Sequence, residues 1–255
     1  TPVGTFGVFV SEGGLDVEDG ASQSVYARPT DSGDPSSGTG DNFTIDGYNN
    51  LQYHTPSGML PFGTVVKLGY APDLDDTVNS GNAKGSTETK SATGEGRNMT
   101  AIQVTTTPID GLTIGASYNE FDGAGLAKND QDPASGAYYL KYANGPFSVG
   151  YSQAFKAMLL ADNVAATAVE GYEQTNYSIA YAASDDLSIS YEVEEDTKQS
   201  VTASTVDVDQ KSKAIQAAYS MGGMTISASM GSYDNVGWVT TDSIDTFLLA
   251  VTMAF

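Results

Sequence analysis

Most of the chain repeats one local pattern, short stretches in which apolar side chains alternate with small or polar ones, residue by residue. FLLAVTMAF, residues 247–255, sets Phe247, Leu249, Val251, Met253 and Phe255 on one side and Leu248, Ala250, Thr252 and Ala254 on the other. LSISYEVEE sets Leu187, Ile189, Tyr191 and Val193 against Ser188, Ser190, Glu192 and Glu194, and GMTISASMGSY sets Met224, Ile226, Ala228 and Met230 against Thr225, Ser227 and Ser229. A period of two belongs to an extended strand with two unlike faces. Counting KAIQAAYSM, TNYSIAYA, PFSVGYSQ, AYYLKYA, LTIGASYN, TAIQVTTT, GTVVKLGY, YNNLQYHT and the opening GTFGVFV, the pattern predicts about twelve strands. Long Ala/Leu/Glu/Lys segments of helical period are not apparent.

The connections alternate in length. Short turns fall near residues 56–62, 108–111, 144–146, 184–186 and 222–223, and long polar connections near 13–42, 73–97, 122–135, 156–171, 196–211 and 233–243. Successive hairpins with tight ends on one side and open ends on the other make an up-and-down meander, here one domain over residues 1–255.

The less apolar face is mainly Ser, Thr, Gly, Asn and Gln; it includes Gln52, His54, Lys67, Gln103, Lys141, Glu192 and Glu194. Periodicity alone does not say which face is outside. The placement of rings does. Tyr53, Tyr142, Tyr181 and Tyr219 each sit on the apolar face just before a short turn, and Phe255 holds the equivalent place at the last residue. Neighbouring antiparallel strands bring such rings to one level, as in the aromatic girdle where an outward apolar band meets lipid headgroups. The fold class predicted is therefore all-β, an antiparallel up-and-down transmembrane β-barrel whose lipid face is uncharged and whose polar face lines the interior.

Composition agrees. No apolar run approaches the length of about 18 residues that a membrane helix needs, so any span must be a closed sheet. Eleven Lys and Arg against 32 Asp and Glu give a net charge of −21, which repels phosphates and excludes nucleic acid as a partner. There is no cysteine, hence no disulfide or thiolate metal site. Asp73, Asp75 and Asp76, and Asp130 with Asp132, offer calcium-type oxygen ligands, but neither set has a closing bidentate Glu, and no cofactor is expected. His54 is the only histidine and nothing pairs a nucleophile with a base, so the chain does not read as an enzyme. It starts at Thr1 without a basic, then apolar, leader, as expected of a chain whose signal peptide is removed or of a fragment.

The strand ending in Phe255, the short and long connections, the tyrosines before the turns, and GTFGVFVSEGGLD leading to NNLQYHTPSGMLPFGTVVKLGY together resemble the general diffusion porins of bacterial outer membranes. The resemblance covers essentially the whole chain. It implies a trimeric outer-membrane channel, surrounded by outer-membrane lipids, that passes small hydrophilic solutes and ions. It implies that GTFG opens the family's fifth strand, so that these strands are either part of a barrel of about sixteen with four preceding them, the favoured reading, or a smaller barrel. It also implies that residues 13–42 fold inward as a constriction loop, with Asp16, Glu18 and Asp19 as its acidic side and Arg28 beside them, favouring cations. A terminal aromatic such as Phe255 is what the family's assembly machinery recognises. Two other readings stay open. A soluble β-barrel for adhesion or ligand binding would dissolve without detergent, and an outer-membrane hydrolase barrel would need a Ser/His constellation on the lipid face, opposite His54.

Overall fold

The computed structural model describes residues 3–31, 42–72, 98–122, 129–158, 160–161, 169–202 and 207–253. Asp73, Asp75, Asp76 and Phe255 lie outside the described residues, as do residues 32–41 of the long first connection and the side chain of Asp130.

Among the described residues the strands are β1 (Thr5–Phe9), β2 (Asn50–His54), β3 (Val65–Ala71), β4 (Asn98–Ile109), β5 (Leu112–Asp122), β6 (Asn129–Gln131), β7 (Ala134–Asn144), β8 (Phe147–Ala157), β9 (Leu160–Ala161), β10 (Val169–Ala182), β11 (Leu187–Ser200), β12 (Val208–Met221), β13 (Met224–Asp234) and β14 (Ser243–Met253). Twelve form one antiparallel sheet in the order β1-β2-β3-β4-β5-β7-β8-β10-β11-β12-β13-β14, and β6 pairs with β9 apart from it. Every neighbour in the large sheet is the next long strand along the chain, so the predicted meander is present. β1 and β14 each pair on one side only, and the described sheet is open. At the short end between β12 and β13, Gly222 (φ 56°) and Gly223 (φ 87°) occupy the two positive-φ positions of a tight hairpin turn whose hand suits twisted strands.

Register fixes the faces. One cross-strand row runs Leu112, Tyr142, Val149, Ile179, Tyr191, Ile215, Met230, Phe247 without a polar residue. On the other face a row runs Ser152, Asn176, Glu194, Ser212, Tyr233. Exposure is inverted relative to a water-soluble sheet. Ile179 is 45% and Phe247 70% exposed, whereas Glu194 and Ser212 are 0%. A protein in water hides large apolar groups and solvates its carboxylates, so this sheet suits a hydrocarbon surround.

Three features depart from the sequence pattern. β10, β11 and β12 are 14 residues each and run into stretches that read as connections, with Asp196–Ser200 continuing β11 and Val208–Lys211 β12. Beyond the apolar band the alternation of side chains is lost although the hydrogen-bonded ladder continues. The outward face is not uncharged there. Lys211 pairs with Glu195, and Lys213 Nζ lies 3.3 Å from Asp234, with Asp245 two strands away in register. Such charges at strand ends sit at headgroup level, where their cost falls towards zero. Finally, outward rings are not confined to the short-turn end. Tyr118 lies 6.4 Å from Phe155 and Tyr151 5.3 Å from Tyr177, further up the strands towards the long connections.

Candidate functional site

The inner face is crossed by residues 13–31, anchored strand by strand. Gln52 on β2 donates to Gly13 O (2.6 Å) and Gln103 on β4 to Leu15 O (3.1 Å). Ser117 on β5 accepts from Val17 N, Ser152 on β8 donates to Glu18 O, and Ser178 on β10 donates to Ala21 O (2.7 Å). On β11, Glu192 accepts from the Ser22 and Ser24 hydroxyls at 2.7 and 2.6 Å, and Ser190 accepts from Val25 N. Gln216 on β12 both accepts from Tyr26 N and donates to Ala27 O, and Tyr233 on β13 donates to Pro29 O. Eight strands thus each give a polar side chain to one irregular segment. The reason is elementary. Irregular backbone has unpaired N–H and C=O groups that must be satisfied once buried, and inward Ser, Gln and Glu at period two supply the partners.

Apolar side chains fill the space between segment and wall. Leu15, Phe43, Ile45 and Tyr48 pack on Ala71, Met99, Ala101 and Phe121, and Val17 and Ala21 pack on Ala137, Tyr139 and Ala154. Phe43 meets Phe121 edge to face at 4.9 Å, and Lys156 Nζ stands 4.5 Å above the Phe43 ring. Close approach depends on Gly150 of β8, where any Cβ would lie 1.7 Å from Ala21 O.

Charge gathers near one guanidinium. Arg28, itself buried, pairs with Asp19, with Asp31 (3.1 Å) and with Glu194 (3.5 Å). Glu194 also accepts from the Thr30 amide and hydroxyl at 3.0 and 2.8 Å, and Asn176 donates to both Glu192 and Glu194. Burial alone would lower the Arg28 pKa, but Glu194, Asp19 and Asp31 outweigh it and hold it above its ordinary value.

The structure sorts the residues predicted from sequence. Gln52, His54, Lys67, Gln103, Lys141, Glu192 and Glu194 all face inward. Only His54, Lys67 and Lys141 keep partial exposure; Gln52 and Gln103 are buried as tethers, and Glu192 and Glu194 lie at 0% beneath residues 22–30. In the segment Asp19 is exposed and Asp16 half-buried, while Glu18 is buried and accepts from Asn42 N. Tyr142, Tyr181 and Tyr219 face outward and exposed; Tyr53 is half-buried against Phe6, with ring centres 4.7 Å apart. Sequence reasoning passed over Ser22, Ser24, Thr30, Ser190, Gln216 and Tyr233. One signal for the segment's path was visible, the Ala and Gly at inward positions such as Ala71, Ala101, Ala137 and Gly150. Among the described residues no group of three or more His, Cys, Asp or Glu could hold a metal ion.

No protein-family model matches the sequence, and no curated protein does. Solved structures do. A porin refined at 1.8 Å resolution superposes with a TM-score of 0.64 at 16% identity, over 100% of this chain and 79% of the other. OmpT, an outer membrane protein of Vibrio cholerae, gives 0.57 at 13% identity over 98% of this chain and 74% of its own. An anion-selective porin from Comamonas acidovorans gives 0.57 at 10% identity over 81% and 59%. At such identities the likeness speaks of architecture, and the architecture is that of a porin-like, up-and-down antiparallel β-barrel wall.

Proposed function

We propose that the chain forms the wall of a water-filled outer-membrane channel through which small hydrophilic solutes and ions diffuse, with a mild preference for cations. The observation that carries this is the inverted sheet, exposed Ile179 and Phe247 outside and buried Glu194 and Ser212 inside. The porin and outer membrane protein likenesses supply the compartment. Residues 13–42 act as the constriction, since the described part of that segment lies across the inner face. Exposed Asp19 and half-buried Asp16 supply the field that favours cations, while half-buried Lys67 and Lys141 oppose it. A trimer is the assembly proposed, by analogy with an OmpT structure described as a trimer form and similar at a TM-score of 0.51. No covalent step is involved. The channel requires the free edges of β1 and β14 to be paired, because lipid cannot satisfy them.

Reconstitution into a planar bilayer tests the proposal. Stepwise conductance is expected, and its absence at protein levels where incorporation is verified overturns the channel. Changing Asp16, Glu18 and Asp19 together to Asn is expected to shift the reversal potential towards zero, the effect coming mainly from Asp16 and Asp19. An unmoved reversal potential removes these carboxylates from selectivity.

A further inference from the structure

Outside the barrel wall, β5, β7, β8 and β10 frame a groove of about 390 Å³. Its floor is Ala116 and Gly136, and at Gly136 a Cβ would stand 2.8 Å from the Phe155 ring. Its sides mix rings with hydrogen-bonding groups, Tyr138 and Phe155 with Gln153, Glu173 and Thr175. All five face away from the channel, in register across the outer surface, Tyr138 beside Gln153 beside Thr175, and Phe155 beside Glu173. Two strand positions nearer the short turns the same surface reads Leu140, Tyr151, Tyr177, Val193.

The level of the groove is informative. Glu173 lies eight residues from Tyr181 along β10, about 26 Å of strand before tilt at about 3.3 Å per residue. An apolar band is about 25 Å tall. A tilt of about 40° reduces that rise to about 20 Å, so with Tyr181 at one interface the groove opens just below the opposite headgroup layer, level with the Tyr118 and Phe155 rings.

Its chemistry is also selective. Tyr138 donates to Gln153 Oε1, so what the Gln153 amide adds to the groove is its N–H donors. The Glu173 carboxylate adds acceptors and the Thr175 hydroxyl serves as either. Among the described residues no Lys or Arg lines the groove, so a bare phosphate has no counter-charge from them. Paired donors and acceptors beside aromatic faces match the vicinal hydroxyls and the C–H face of a sugar ring. A sugar reaching a lipid-facing groove comes attached to a lipid.

We propose that this groove binds the glycosyl headgroup of a membrane lipid, with Gln153, Glu173 and Thr175 bonding its hydroxyls and Phe155 or Tyr138 under its ring. The inference rests on the outward face meeting lipid, as in the channel reading. The test is native mass spectrometry of the detergent-purified protein in micelles doped with a monoglycosyl diacylglycerol or with phosphatidylglycerol. Wild type is expected to retain the glycolipid about tenfold better than phosphatidylglycerol, and Gln153→Leu/Glu173→Leu to lose that preference. Equal retention of both lipids by wild type, or an unchanged preference in the variant, overturns the site. A fall in oligomer size in the variant also overturns it, in favour of a protein contact. Leucine suits a lipid-facing strand position, and unaltered electrophoretic mobility of the folded form, with Thr175→Val as a milder second variant, guards against misfolding. The lipid readout needs no conductance, so it stands or falls separately from the channel.

Discussion

Arg28 compensates a fully buried carboxylate. Removing one partner of a buried ion pair costs about 3–5 kcal/mol because the other charge is left uncompensated, whereas the exposed partners Asp19 and Asp31 contribute little. Arg28→Met should therefore free the loop locally without unfolding the barrel. Hydrogen exchange at the Thr30 amide, which donates to Glu194, should speed up by about 100-fold or more. Arg28→Met combined with Glu194→Gln should restore most of the protection, since the stranded charge is gone; protection that stays low in the pair would show that Arg28 holds the loop by packing rather than charge. At this scale the sequence was half legible. That Glu192 and Glu194 point inward follows from strand parity, as does the inward Gln103. That they serve as anchors does not, because their partners Ser22, Thr30 and Leu15 are 88 to 170 residues away and no periodicity links a loop to a wall.

Strands were legible where a band of lipid enforces alternation, and their ends were not. Past that band β11 continues through Asp196–Ser200 with its ladder intact, while its side chains answer to water on one side and loops on the other. Turn chemistry survived better, since Gly222 and Gly223 are required by backbone conformation whatever surrounds them. The path of the inner segment is set by small inward residues, and Gly150 is its tightest point. Gly150→Val keeps a good strand former on β8 but places a side chain where Ala21 O lies, an overpacking worth about 1–3 kcal/mol or more. The variant should fold into its barrel, release residues 18–22 from β8 and β10, and show a larger single-channel conductance. Conductance identical to wild type would mean that residues 18–22 do not narrow the passage.

The whole chain carries −21, and of its inner carboxylates Glu192 and Glu194 are fully buried. Much of the inner carboxylate is buried, so the cation preference we propose draws on half-buried Asp16, on Asp19, which stays exposed although it pairs with Arg28, and on the acidic surroundings, all of them open to screening ions. The screening length falls from about 10 Å at 0.1 M salt to about 3 Å at 1 M. Cation preference measured by reversal potential should weaken markedly across that range; a preference independent of salt would place its source in a desolvated site instead. The tethers of residues 13–31 carry a consequence for assembly. The segment leaves β1 near one end of the chain, yet Tyr233, 204 residues on, holds Pro29 and Gln216 holds Tyr26 and Ala27. Contacts so remote in sequence are slow to form, and here their docking surface does not exist until β10 to β13 have joined. On the channel reading, the interior is accordingly wider while the wall is being built, and the narrowing segment settles last, onto a finished sheet.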